Sequence, residues 1–285
     1  MGDVAKERDE VTDEREPGRI CVGIPHTPWI DARVAAMFEI RKRLPLDVLE
    51  HEYREFTDRE SNMAWSERMW SWALEMGTPW FVTLQDDVEL APCFWKALHA
   101  MLDTLDGIGA GVLGLSSVHP VQVETARQGH RWYRTKSHLV GWAYAIRHDT
   151  LRSFMAWRAR QALPAETTED SLLNHWINLS GNDTWHPVPT IVDHDTTLDS
   201  TYENGAHVHR RPWITWRDFT EGSLTDRAFW RLNGPPESVP ILPTPESHLC
   251  WTGCGRKASV AAGCVRLCPP CVAQAAGVLI TRVVG

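Results

Sequence analysis

Apolar and polar positions along this chain follow two periods, and the switches between them mark out the elements. Ile20-Cys21-Val22-Gly23-Ile24-Pro25 is an unbroken apolar run that reads as a first strand. A helix is predicted over Asp31 to Leu44, a second strand over Asp47 to Glu52 and a charged loop over Arg54 to Glu60. Trp65, Met69, Trp72 and Met76 then recur at +4, +7 and +11, one face of an amphipathic helix. Gly77 is placed to cap that helix, and Pro79 bars its continuation. Trp80 to Leu84 is a buried strand that runs into Gln85, Asp86 and Asp87. Pro92 to Leu105 is helical, with Phe94, Leu98, Met101, Leu102 and Leu105 on one side. Further strands are predicted at Gly111–Leu115 and Ser137–Ile146, and a helix at Thr150–Gln161. A helical run at Ser171–Leu179 turns Leu172, Leu173 and Trp176 inward, and Pro189–Val192 is strand-like. Alternating strands and helices imply an α/β domain built on a largely parallel sheet.

The chemistry concentrates where the buried strand meets Asp86 and Asp87. Adjacent carboxylates repel each other, and burial disfavours their ionisation. A divalent cation removes both penalties, and oxygen ligands with room for a phosphate are how Mg²⁺ or Mn²⁺ is usually held. In open α/β sheets, ligands bind beyond the carboxyl ends of strands. The alternative is that the two acids only open a polar turn. Glu169 and Asp170 stand at the start of a helical run, where an ionised carboxylate is favoured; there, too, the acids can serve only the helix end, with Thr167 or Thr168 as cap. His194, flanked by Asp193 and Asp195, follows the late strand-like run. An imidazole there completes an Asp/phosphate metal shell, or it is a surface histidine in an acidic loop.

Four stretches in this order resemble a glycosyltransferase of the GT-A type: Gln85-Asp86-Asp87 at a strand end, Val140-Gly141-Trp142-Ala143, Glu166-Thr167-Thr168-Glu169-Asp170, and the segment ending in His194. The likeness spans residues 19–216. It implies a Rossmann-like mixed, mostly parallel sheet flanked by helices, a nucleotide-diphosphate sugar donor, and Mn²⁺ or Mg²⁺ as cofactor. By the same likeness Asp87 and His194 ligate the metal, and Asp86 holds the ribose or a metal-bound water. Asp170, or Glu169 beside it, removes the acceptor proton in an inverting displacement. Arg59 and Asn62 contact the nucleotide, and Pro25 and His26 border its base. Gln85 departs from the pattern, since relatives often carry an acid there.

Composition adds limits. The chain of 285 residues has room for one full α/β domain and a small appendage. Its formal net charge of −8 argues against a general nucleic-acid coat. No apolar run approaches the length of a membrane span. The N-terminus lacks the apolar core of a signal peptide, so a cytoplasmic setting is expected; a likeness to bacteriophage-encoded sugar transferases would make it that of an infected host cell. Cys250, Cys254, Cys268 and Cys271 form two tight pairs around a short spacer, the pattern of a zinc ribbon with a structural Zn²⁺. The spacer predicts a hairpin through Ala261-Ala262-Gly263. Five prolines between Asn233 and Glu246 predict a stiff linker. The organisation expected is thus a tail (1–18), a main domain (19–232), the linker (233–246) and the ribbon (247–285). Small zinc ribbons often hold nucleic acid or protein, and a sugar transferase carrying one resembles bacteriophage-encoded transferases; that likeness implies a modified DNA base, a virion protein or a glycan as acceptor. A non-catalytic binding protein with a decayed transferase domain is the alternative.

Overall fold

The computed structural model describes residues 19–45, 53–57, 62–136, 139–161, 168–195, 198 and 212–242, with the backbone of 260–262 and 265–267. β1 (Ile20–Pro25) is buried at every position. Its alternate residues feed opposite faces of the sheet: Ile20, Val22 and Ile24 enter one core cluster and Cys21 the other. α1 (Asp31–Arg41) follows, with Arg33, Met37 and Ile40 turned inward. It ends earlier than predicted, because Pro45 disfavours helical backbone at Leu44.

β2 (Tyr53–Phe56) forms where the pattern predicts a charged loop, while the predicted strand over 47–52 lies outside the described residues. Phe56 is buried, and Arg54 and Glu55 keep charge on this edge strand, which discourages pairing with another chain. α2 (Asn62–Met76) buries Ser66, Met69, Trp70 and Ala73. This stripe is rotated from the predicted one: Trp72 is also buried, but Trp65 is only half-buried. Gly77 ends the helix with φ +67°, a conformation that costs glycine nothing.

β3 (Trp80–Leu84) is fully buried, and β4 (Val88–Leu90) is a short strand beyond it. α3 (Phe94–Gly107) buries all five residues of its predicted face. β5 (Val112–Gly114), α4 (Val121–Arg127), β6 (Trp132–Thr135), β7 (Ala143–Arg147) and α5 (His148–Arg158) come next. The strand predicted over 137–146 begins only at Ala143, because Gly141 and Trp142 form a turn. α6 (Glu169–Ser180) stops at Gly181, whose φ is +76°. β8 (Thr184–Pro187) precedes the strand-like run expected at 189–192, and of that run only Val192 is in a strand, as the first residue of β9 (Val192–His194).

The main sheet has the order β10-β6-β8-β5-β7-β3-β1-β2, where β10 is Ile241–Leu242. Pairings β10/β6, β5/β8, β1/β3 and β1/β2 are parallel; β6/β8, β5/β7 and β3/β7 are antiparallel. This mixed, mostly parallel sheet with flanking helices agrees with the fold class expected from sequence. One core cluster joins α1 and α3 to the sheet, and the other joins α2, α5 and α6. The first part of the proline-rich segment packs on the domain. Ile241 pairs with Arg134, and Val239 is buried. Trp132 donates to the carbonyl of buried Trp230 at 2.7 Å.

β11 (Val260–Ala262) and β12 (Val265–Leu267) form an antiparallel hairpin in the predicted spacer. The four ribbon cysteines, Cys250, Cys254, Cys268 and Cys271, lie outside the described residues, as does Arg59. Among the described residues, no helix is long and apolar enough to cross a membrane.

Candidate active site at the carboxyl edge of the sheet

β1 and β3 are parallel neighbours, so Pro25-His26-Thr27 and Gln85-Asp86-Asp87 emerge side by side at one edge. Gln85 donates its N–H to the carbonyl of Trp142 at 2.8 Å, which ties in the turn before β7. β4 leaves the main sheet and pairs with β9, setting Val88 opposite His194. The N–H of Asp195 donates to the carbonyl of Asp87 at 2.8 Å. Two segments far apart in sequence thus meet around one carboxylate.

Asp86 is fully engaged. Its Oδ2 accepts from the Thr27 N–H at 2.7 Å and the Thr27 hydroxyl at 2.8 Å, and His26 Nδ1 lies 3.1 Å away. Its Oδ1 accepts from Arg33. The same guanidinium reaches Asp87 Oδ2 at 2.9 Å, so Arg33 grips both acids with a side chain only 4 % exposed. His194 Nε2 stands 3.3 Å from Asp87 Oδ2, and its ring packs against Trp142 at 5.0 Å between centroids. Burial pushes the Asp87 carboxyl upward, but the His194 hydrogen bond and the Arg33 charge outweigh it and hold the group below the usual carboxylate range. Asp87 Oδ1 is buried and has no hydrogen-bond partner among the described residues.

That orphaned oxygen is the observation that fits a metal. A buried acceptor left unpaired costs about 1–3 kcal/mol, so it calls for a partner. A carboxylate oxygen beside an imidazole suits Mn²⁺ or Mg²⁺. Asp86 has no oxygen to spare. Among the described residues, no group of three or more His, Cys, Asp or Glu side chains forms a closed cage, so most of the shell would come from water or substrate oxygens.

Arg217 braces the arrangement from outside. It pairs with Asp193 Oδ2 at 2.5 Å and with Glu89, bridging β9 and β4 one residue from the Val88–His194 pair. Its guanidinium lies 4.3 Å over the Trp216 ring.

The other acids part company. Asp170 is half-buried; its Oδ1 accepts from the Thr168 hydroxyl at 2.6 Å and the Ser171 N–H at 2.8 Å. Thr168 is the N-cap residue but makes no side-chain cap. A Cβ added at Gly141 would stand 3.3 Å from Asp170 Cβ, so glycine lets the start of α6 approach the turn that holds Gln85. Glu169 is only 2 % exposed and points the other way. It accepts from Ser66 Oγ at 2.8 Å and from the Tyr144 hydroxyl, which itself accepts from Trp70 Nε1 at 2.9 Å. Burial raises its pKa to about 7 against the opposing pull of those two hydrogen bonds.

Pro25 is buried at the end of β1, and Asn62 opens α2. A cleft of about 420 Å³ lies between β2 and α2, lined by Arg54, Phe56, Arg68 and Trp72 among others. The carbonyl of Phe56 accepts from the His26 N–H, so the cleft borders the acidic edge without including it. Sequence reasoning missed Arg33, Thr27, Tyr144, Ser66 and Arg217. For Arg33 a signal existed: a lone cation at the head of the inward Arg33-Met37-Ile40 stripe asks for a buried counter-charge.

No protein-family model matches the chain, and no curated protein does. Among solved structures it is similar to A197 from STIV, at 14 % identity and a TM-score of 0.40 over 62 % of this chain and 85 % of that one. It is also similar to a glycosyltransferase involved in the glycosylation of the major capsid of PBCV-1, at 14 % identity and a TM-score of 0.29 over 55 % and 76 % of the respective chains.

Proposed function

We propose that this protein is a metal-dependent glycosyltransferase that moves a sugar from a nucleotide-diphosphate donor to an acceptor hydroxyl, with inversion. One observation carries the reading: Asp87 stands just past the buried strand β3 at the carboxyl edge of the sheet, with one oxygen that has no hydrogen-bond partner among the described residues and His194 beside the other. Asp87 and His194 would hold Mn²⁺ or Mg²⁺, which as a Lewis acid neutralises the leaving diphosphate. Asp86 orients the loop after β1 through Thr27 and His26. Asp170 would accept the acceptor proton, an assistance typically worth about 10²–10⁴-fold. Glu169, turned into the interior, would anchor the start of α6 that presents it. A modified DNA base, a virion protein or a glycan is the acceptor class, with the Zn²⁺ ribbon around β11 and β12 holding the partner. Calorimetry of nucleoside diphosphates with Mn²⁺ tests the site: Asp87→Ala should abolish metal-dependent binding while the fold persists. Unchanged affinity would remove the site.

The Arg33 grip on both acids favours a second reading, in which the pair is a buried structural ion cluster in a non-catalytic binding protein. Hydrolysis of nucleotide-sugars by the purified protein with Mn²⁺ separates the two.

A further inference from the structure

Resting on the metal-dependent reading of this site, we propose that Arg33 makes uptake of the divalent ion conditional on the nucleotide. The ion and the diphosphate are held together, and the ion alone is held poorly.

The argument starts from charge. Asp86 and Asp87 supply two negative charges, and Arg33 returns one positive charge through a fork that touches both. A guanidinium does not deprotonate in a protein, so this charge cannot be shed. The side chains of Arg33, Asp86 and Asp87 are 4 %, 3 % and 6 % exposed, so water screens their interactions weakly. A divalent ion at Asp87 therefore meets a carboxylate already paired with a fixed cation a few ångströms away, a repulsion that is substantial at short range.

The ligand count points the same way. Asp86 spends its oxygens on Thr27, His26 and Arg33. Asp87 Oδ2 already serves Arg33 and His194, which leaves Oδ1 as the open carboxylate oxygen. Mg²⁺ takes six oxygens and Ca²⁺-sized ions more, so the protein supplies few of them and holds the ion weakly unless a diphosphate replaces some of its waters. A diphosphate removes both deficits, because it brings negative charge and oxygen ligands at once. Arg33 is thus a positioning residue that tunes the site to an ion already paired with a diphosphate, and against a free ion or a monophosphate pair.

Titration of the full chain with Mn²⁺, read by electron paramagnetic resonance of the unbound ion, tests this without any turnover. Wild-type protein should bind Mn²⁺ at least about tenfold more tightly with UDP or GDP than alone or with UMP or GMP. Arg33→Gln should bind Mn²⁺ alone about tenfold more tightly than wild type does, and Mn²⁺ alone should raise its melting temperature. Arg33→Lys keeps the charge and should stay nucleotide-dependent, which provides a readout if the glutamine variant fails to fold. Equal Mn²⁺ affinity of the wild type with and without diphosphates would overturn the proposal and leave the metal site standing. So would nucleotide-free affinity in Arg33→Gln no better than wild type. Absence of Mn²⁺ uptake in every variant with every nucleotide would remove the metal-dependent reading itself.

Discussion

Glu169 makes stability depend on pH in a direction opposite to most buried carboxylates in salt bridges. Its carboxyl titrates near 4.5 in an unfolded chain and at about 7 in the folded one. Between those values the native state keeps a proton that the unfolded state has released. Stability therefore falls as pH rises through this window, is fully present below about 4.5 and is lost above about 7. A gap of roughly 2.5 pH units corresponds to about 3 kcal/mol. Asp87 acts in the other direction and elsewhere: its depressed folded value adds stability above 3.8 that is lost as pH falls further. The two contributions do not overlap. Glu169→Gln keeps the shape and stays neutral, so it should remove the slope. Urea unfolding at intervals from pH 4.5 to 8 measures it. With an m-value of about 3 kcal/mol/M, the wild-type midpoint should fall by about 1 M relative to the variant across the window. At pH 5 the two proteins should be close, since an amide and a protonated acid offer similar hydrogen bonds to Ser66 and Tyr144. Parallel slopes for the two proteins, or a wild type that gains on the variant as pH rises, would refute the reasoning.

Asp170→Asn should lower turnover by about two orders of magnitude or more with Mn²⁺ and donor affinity intact, whereas Glu169→Gln should be milder; steady-state kinetics on both decides whether Asp170 acts on the proton. Arg217→Met should cut metal-dependent nucleotide affinity about tenfold while Arg217→Lys restores part of it, because the bridge between Glu89 and Asp193 is lost together with the stacking on Trp216; calorimetry of the three proteins checks this. Elemental analysis of chelator-free protein should find close to one zinc per chain, and a chain truncated at Glu246 should find none.

What the sequence disclosed followed from clean periodicity. α3 shows its buried face at helical spacing, and β3 is a short run of apolar and β-prone residues, so both were legible along with the acids that follow β3. β6 and β8 were not. Both are buried throughout, yet they carry Arg134, Thr135, Thr184 and His186, so no apolar run announces them. Part of this polarity is met by long-range partners, such as Asp183 on Arg134 at 3.0 Å and Thr135 against His186 at 3.1 Å, while Thr184 Oγ1 has no hydrogen-bond partner among the described residues. β2 was missed for a related reason, since an edge strand tolerates charges that mimic a loop. At the site, the residue types of Asp86, Asp87 and His194 were legible and the meeting of Asp87 with His194 rested on family likeness. The division of labour between Glu169 and Asp170 was not legible, because neighbours at a helix start point to different sides.

The pairing of β4 with β9 also has a consequence for how the chain acquires its site. Val88 and His194 lie roughly a hundred residues apart, and contacts so distant in sequence form late, after the loop between them has closed. Arg33 and the strand bearing Asp86 are closer together and are made first by the ribosome. The cation that offsets the repulsion of the acidic pair thus precedes both acids in the chain, and the histidine follows them by roughly a hundred residues. Arg33 lets the core close around two carboxylates on its own, and the contact of His194 with Asp87 depends on a segment from the far end of the domain.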